Sequence, residues 1–159
     1  MVQFSPTIIN DVSERSISHK LAVYLQDAFP EYHVDCEYNW QIDRYGDNVK
    51  NLLFTPEEEE RFYPETQNES IKDKNAHSVY PDIIVHRRGD NEKNLLTFEI
   101  KKSTNKSKKA KELDKLKLER YKDKFEYRYS AFLQFSTGKD YTDAVTDGGT
   151  KCFYKLNLS

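Results

Sequence analysis

The stretch "SVYPDIIVHRRGDNEKNLLTFEIKKSTN", from Ser78 to Asn105, decides how this chain is read. Its two apolar runs, DIIV and LLTFEI, flank a polar turn containing Gly89, the pattern of a β-hairpin. Side chains alternate along a strand, so Asp82, Ile84 and His86 share one face of the first run. Thr97, Glu99 and Lys101 share a face of the second, with Leu96, Phe98 and Ile100 opposite. Charged side chains are among the least often buried unless they are paired or bind metal. Three of them in or beside apolar strands therefore need partners.

Glu99 and Lys101 lie two apart and project to the same side, about 7 Å from each other along the strand. Strand pairing sets Asp82 beside Glu99. Two carboxylates at that separation repel and resist ionisation unless a cation bridges them. Hard oxygen donors, two carboxylates with the main-chain carbonyl of Ile100, suit Mg²⁺, which keeps several waters and also binds substrate phosphate. Such an ion activates water and neutralises a phosphodiester in the transition state. The Lys101 ammonium beside it then orients or deprotonates the water, or stabilises the pentavalent phosphate.

Outward from the hairpin the order of elements is legible. Residues 11–29, DVSERSISHKLAVYLQDAF, predict a helix from Ile17, Leu21, Tyr24, Leu25 and Ala28 at helical spacing, with Pro30 ending the run. Asp11 and Glu14 resemble a capping box, yet Glu14 also extends the apolar stripe toward the core. Both readings of Glu14, cap or site carboxylate, stand. EYHVDCEYNW alternates strictly and predicts a half-buried strand over 31–40. Residues 41–76 form an insertion: NVKNLLF suggests a helical turn, TPEEEERFY a helix capped by Thr55 with Pro56 at its first position, and PETQNESIKDKNAH a loop. After the hairpin, NKSKKAKELDKLKLERYKDKF predicts a basic amphipathic helix whose contacts are Leu113, Leu116, Tyr121 and Phe125. YRYSAFLQFS and KCFYKLNL predict further strands, separated by a turn or short helix.

The pairs Pro81-Asp82 and Glu99-Ile100-Lys101, on successive strands, resemble the signature of the PD-(D/E)XK nuclease superfamily. The resemblance covers most of the chain outside the insertion. It implies an α/β restriction-endonuclease-like core in αβββαβ order, with a central mixed sheet flanked by helices, spanning residues 1–159 as a single domain. It also implies a metal-dependent nuclease, with Asp82 and Glu99 as ligands, Lys101 catalytic, and Glu14 matching the family's helix glutamate. Mg²⁺ is the expected cofactor, with Mn²⁺ as a substitute, and nucleic acid, DNA foremost, the expected partner. Homodimers are common among isolated domains of this fold.

Bulk properties bound the alternatives. The chain has 159 residues, one domain's worth, and a net charge of −2. That charge is unevenly spread, since Lys101–Lys124 holds eleven basic and four acidic residues. This stripe suits a nucleic-acid partner, or is simply a solvated helix face. Cys36 and Cys152 lack metal-ligand spacing, so reduced thiols in a cytoplasmic protein are expected, and no apolar run is long enough to span a membrane. Phosphate-binding glycine loops, nucleophile elbows and H-E-x-x-H are absent from the sequence. Two rivals to the enzyme remain: a non-catalytic nuclease-like module that binds nucleic acid or a partner protein, and a structural hairpin with a surface Glu99–Lys101 ion pair.

Overall fold

Ile83–His86 is the strand around which the other elements are arranged, and all four of its residues are buried. A run this apolar, without alternation, belongs to a strand covered on both faces. In the computed structural model, residues 11–43, 46–64 and 76–138 are described. The elements in chain order are α1 (Glu14–Ala28), β1 (His33–Cys36), β2 (Trp40–Asp43), β3 (Gly46–Val49), β4 (Asn51–Leu53), α2 (Pro56–Phe62), β5 (Ala76–Ser78), β6 (Ile83–His86), β7 (Leu96–Lys102), α3 (Lys108–Phe125) and β8 (Tyr129–Phe135).

The fold is mixed α/β. Among the described residues four strands form a sheet in the order β1-β6-β7-β8, antiparallel except for the parallel β7–β8 pair. A parallel pair needs a long crossover, and α3 supplies it. The β6–β7 turn closes through Asp90 N–H to Arg87 O at 3.1 Å, with Gly89 at φ 81°, a value that favours glycine.

Each sheet face carries its own apolar cluster. Ile17 of α1 packs with Ile83, Phe98, Ile100 and Ala131 on one side, flanked by Leu21, Leu25, Val34 and Cys36. On the other, Leu118, Tyr121 and Phe125 of α3 pack with Ile84, Leu52, Phe54 and Tyr127. Alternation sends Ile83 and Ile84 to opposite faces, so the sheet lies between α1 and α3.

Several expectations are corrected. The strand expected over 31–40 stops at Cys36, because Glu37 turns left-handed (φ 51°) and donates its N–H to Pro81 O at 3.1 Å. That break reverses the alternation: Val34 and Cys36 face the α1 cluster, whereas Tyr38 packs against the α3 cluster. The segment read as a helical turn is extended, with Asn51–Leu53 paired to Ala76–Ser78 and Trp40–Asp43 to Gly46–Val49. The Asp11–Glu14 box does not form; Ser13 is the cap, accepting from Ser16 N–H. The Thr55 cap and the Pro56 opening of α2 expected in the insertion do form, and Glu58 completes a capping box with Thr55. Of the loop expected over 64–77, Ala76 and His77 instead lie in β5, and residues 65–75, like most of the final turn and the strand after residue 138, lie outside the described residues.

Candidate active site

Asp82 sits immediately before β6, whose last pair with β7 is Ile83 opposite Phe98. Beyond that pair the backbone of Ile100 has no partner in β6. The Asp82 carboxylate takes its place, accepting the Ile100 N–H at 2.6 Å. Pro81, lacking an N–H, suits a position where the ladder ends. Thus Pro-Asp at the strand start has a structural cause: it ends the pairing and leaves a carboxylate across β7.

Glu99 projects from the middle of β7 toward α3 and is 2% exposed. Its Oε1 accepts from Lys117 Nζ at 2.9 Å and from Tyr121 OH at 3.0 Å. Lys101, on the same face, is ion-paired with Asp114 Oδ2 at 2.8 Å and donates to Glu14 Oε2 at 3.2 Å and to the Ile100 carbonyl at 3.3 Å. Glu14 reaches over from the first turn of α1, where its other oxygen accepts from Lys102 N–H at 3.1 Å and Asn105 Nδ2 at 3.2 Å. It is tied to the end of β7 and does not serve as the α1 cap. An open polar cleft lined by Ser13, Glu14, Lys102, Thr104 and Asn105 runs alongside.

The structure therefore brings Asp82, Glu99, Lys101 and Glu14 into one region, and adds Asp114 and Lys117, which were missed in the sequence, with Tyr121, which was read there only as a packing contact. The signal for them was present. Stepping back along α3 from Phe125 through Tyr121 and Leu118 lands on Asp114 and Lys117 at helical spacing, and the buried stripe does include Asp114. His86 takes no part in this cluster: its Nε2 meets Asp35 Oδ2 at 2.9 Å, beside Arg88. His77 instead pairs with Glu59 at 2.8 Å and stacks on Tyr63. Glu37 is engaged by Arg15 at the surface, at 2.8 Å. Gln134 lies opposite Lys101 in the β7–β8 ladder.

The electrostatics follow from burial and crowding. Burial, then the nearby Asp114 and Asp82 charges, push the Glu99 carboxyl up to about 8 against the pull of Lys117. Burial also raises Asp82, although the Ile100 N–H and Lys101 work the other way. Burial disfavours the Lys101 ammonium, but Asp114 and Glu14 outweigh it and hold the lysine above its ordinary value. Lys101 is thus a charged donor and not a free base. Lys117 is likewise held charged, since Glu99 and Asp114 overcome its burial.

Four carboxylates (Glu14, Asp82, Glu99, Asp114) face two ammonium groups here, a formal excess of two negative charges. Among the described residues no three carboxylate or imidazole groups converge into a ready-made metal centre. Mg²⁺ does not require one, because one or two carboxylates with waters and substrate oxygens suffice. Asp82, Glu99 and the Ile100 carbonyl fit that donor chemistry, and a dication would offset the crowding of carboxylates that, after burial, raises Glu99. No family model, curated protein or solved structure matches this chain.

Proposed function

We propose that the chain is a Mg²⁺-dependent nuclease of the restriction-endonuclease-like kind, hydrolysing phosphodiester bonds in DNA. The observation that carries this reading is the formal surplus of carboxylates over ammonium groups at the end of β6, where buried Glu99 and Asp114 and half-buried Asp82 and Glu14 surround Lys101 and Lys117. A purely structural ion pair needs equal numbers of charges and gains nothing from two further carboxylates at its side. The helix–strand order around this hairpin also agrees with the core that the sequence resemblance implies.

In this reading Asp82, Glu99 and the Ile100 carbonyl hold the ion. When bound, the ion lowers the pKa of a water and offsets charge on the phosphate. Lys101, kept charged and aimed by Asp114 and Glu14, donates to the phosphate oxygens or the attacking water as negative charge develops. Glu14 fixes the position of that ammonium from α1. The exposed Lys108 and Lys109 on α3 supply attraction to the nucleic-acid backbone along the substrate.

A second reading, a module that binds nucleic acid without cutting it, has its own support: Lys117 and Tyr121 already occupy Glu99. Titration calorimetry separates the two. The nuclease reading expects a Mg²⁺ or Mn²⁺ binding heat that disappears in Glu99→Ala. Salt-sensitive DNA binding with no metal heat in the unaltered protein would select the module.

A further inference from the structure

Lys117 is the charged group in this site that neither metal binding nor phosphate stabilisation calls for. It extends from the inner side of α3, its side chain only 15% exposed, although a lysine in that position ordinarily snorkels its ammonium to water. Instead the ammonium lies between two carboxylates, 2.9 Å from Glu99 Oε1 and 3.1 Å from Asp114 Oδ1. Asp114 is one helical turn before it, so a small rotation of the lysine's terminal bonds exchanges one carboxylate for the other.

We infer that Lys117 is a resident counter-cation that occupies Glu99 when no metal is bound and yields it to the metal by moving onto Asp114. Three features of the surroundings fit such an exchange. Tyr121 donates to the same Glu99 oxygen at 3.0 Å, so the carboxylate stays anchored when the lysine leaves. Asp114 presents its other oxygen to Lys101 at 2.8 Å, so it remains in place to receive Lys117. Movement along this path keeps the ammonium paired throughout, which avoids the heavy cost of a buried lone charge. Lys117 thereby keeps a strongly anionic site folded before metal arrives, and weakens metal binding in return.

The inference rests on the metal-dependent reading above and is tested apart from catalysis. Mg²⁺ is titrated calorimetrically into the full chain, unaltered and as Lys117→Met, in alkaline buffer so that a proton does not take the lysine's place. Melting temperatures are recorded with and without Mg²⁺. Lys117→Gln, which keeps a donor toward Glu99 without the charge, serves if the Met variant does not fold. Lys115→Met, an exposed lysine on the same helix, controls for loss of charge alone. The expected result is Mg²⁺ affinity at least tenfold tighter in the Lys117 variant and changed less than twofold in the Lys115 variant. The Lys117 variant also melts lower than the unaltered protein without metal, by a margin that Mg²⁺ reduces. Affinity that is equal or weaker in the Lys117 variant, or equally improved in both variants, overturns the exchange while leaving metal binding intact. No Mg²⁺ heat in any of the proteins overturns the metal site itself.

Discussion

Glu99 and Asp35 are both carboxylates that face cations, yet burial and partners move them in opposite directions. Glu99 rises from an ordinary 4.5 to about 8. The folded chain therefore binds this proton more tightly than the unfolded chain does. The stability it contributes is complete below about pH 4.5 and is lost as pH rises through about 8. Glu99→Gln removes that dependence. Urea unfolding near pH 5 and pH 8 is expected to show the unaltered protein losing on the order of a few kcal/mol more than the variant across this window. Equal losses would contradict the placement of Glu99. Asp35 behaves in reverse: although burial opposes it, bonds from His86 and Arg88 hold it well below the usual carboxylate range. Its contribution is present above about 3.8 and lost as pH falls below that value. Asp35→Asn is expected to cost about 1–3 kcal/mol near neutrality, a deficit that shrinks in strong acid.

At the scale of elements, the hairpin was the most legible part because strand alternation is strict. A period of two assigns Glu99 and Lys101 to one face without knowledge of anything else, and both do meet α3, while Asp82, just before β6, reaches the Ile100 N–H. α3 was harder to read. Charged residues dominate its surface, so Asp114 and Lys117 blended into the solvated face although they continue the stripe of Leu118, Tyr121 and Phe125. The β1 strand was overextended because Glu37 adopts a left-handed conformation that no alternation pattern reveals. Glu14 shows how a local signal misleads: capping-box spacing to Asp11 was present, but Ser13 won the cap and freed Glu14 for Lys101. The insertion is held to α3 by Arg120, which donates to both Glu58 oxygens and to Leu53 O and lies over the Phe54 ring at 4.7 Å. Arg120→Ala is expected to lower stability by about 1–3 kcal/mol and to speed amide exchange in α2 and β4 first. Exchange that accelerates evenly over the sheet would show that the insertion is not a separable unit.

For the whole molecule, a charge of −2 conceals a division of labour among the basic residues. Lys101 and Lys117 turn inward to the carboxylates, and Arg120 clamps the insertion. Lys106, Lys108, Lys109, Lys115 and Lys124 remain exposed. The proposed nuclease uses Lys101 for chemistry, Lys117 as a counter-charge, and Lys108 and Lys109 for attraction to the DNA backbone. Among the described residues no helix is long and apolar enough to cross a membrane. DNA affinity is expected to fall steeply with salt, and Lys108→Glu with Lys109→Glu to reduce the slope of log K against log[salt] by roughly one to two. Mg²⁺ affinity in that double variant should stay unchanged. A salt slope that does not move would place DNA elsewhere. The central claim is that Asp82, Glu99 and Lys101 form a working metal-dependent site, and the most direct measurement is cleavage of plasmid DNA with Mg²⁺ or Mn²⁺. The account predicts cleavage that chelator abolishes and that Asp82→Ala or Lys101→Ala reduces at least about a hundredfold while circular dichroism stays unchanged. Cleavage that persists in chelator, or in both variants, would contradict it.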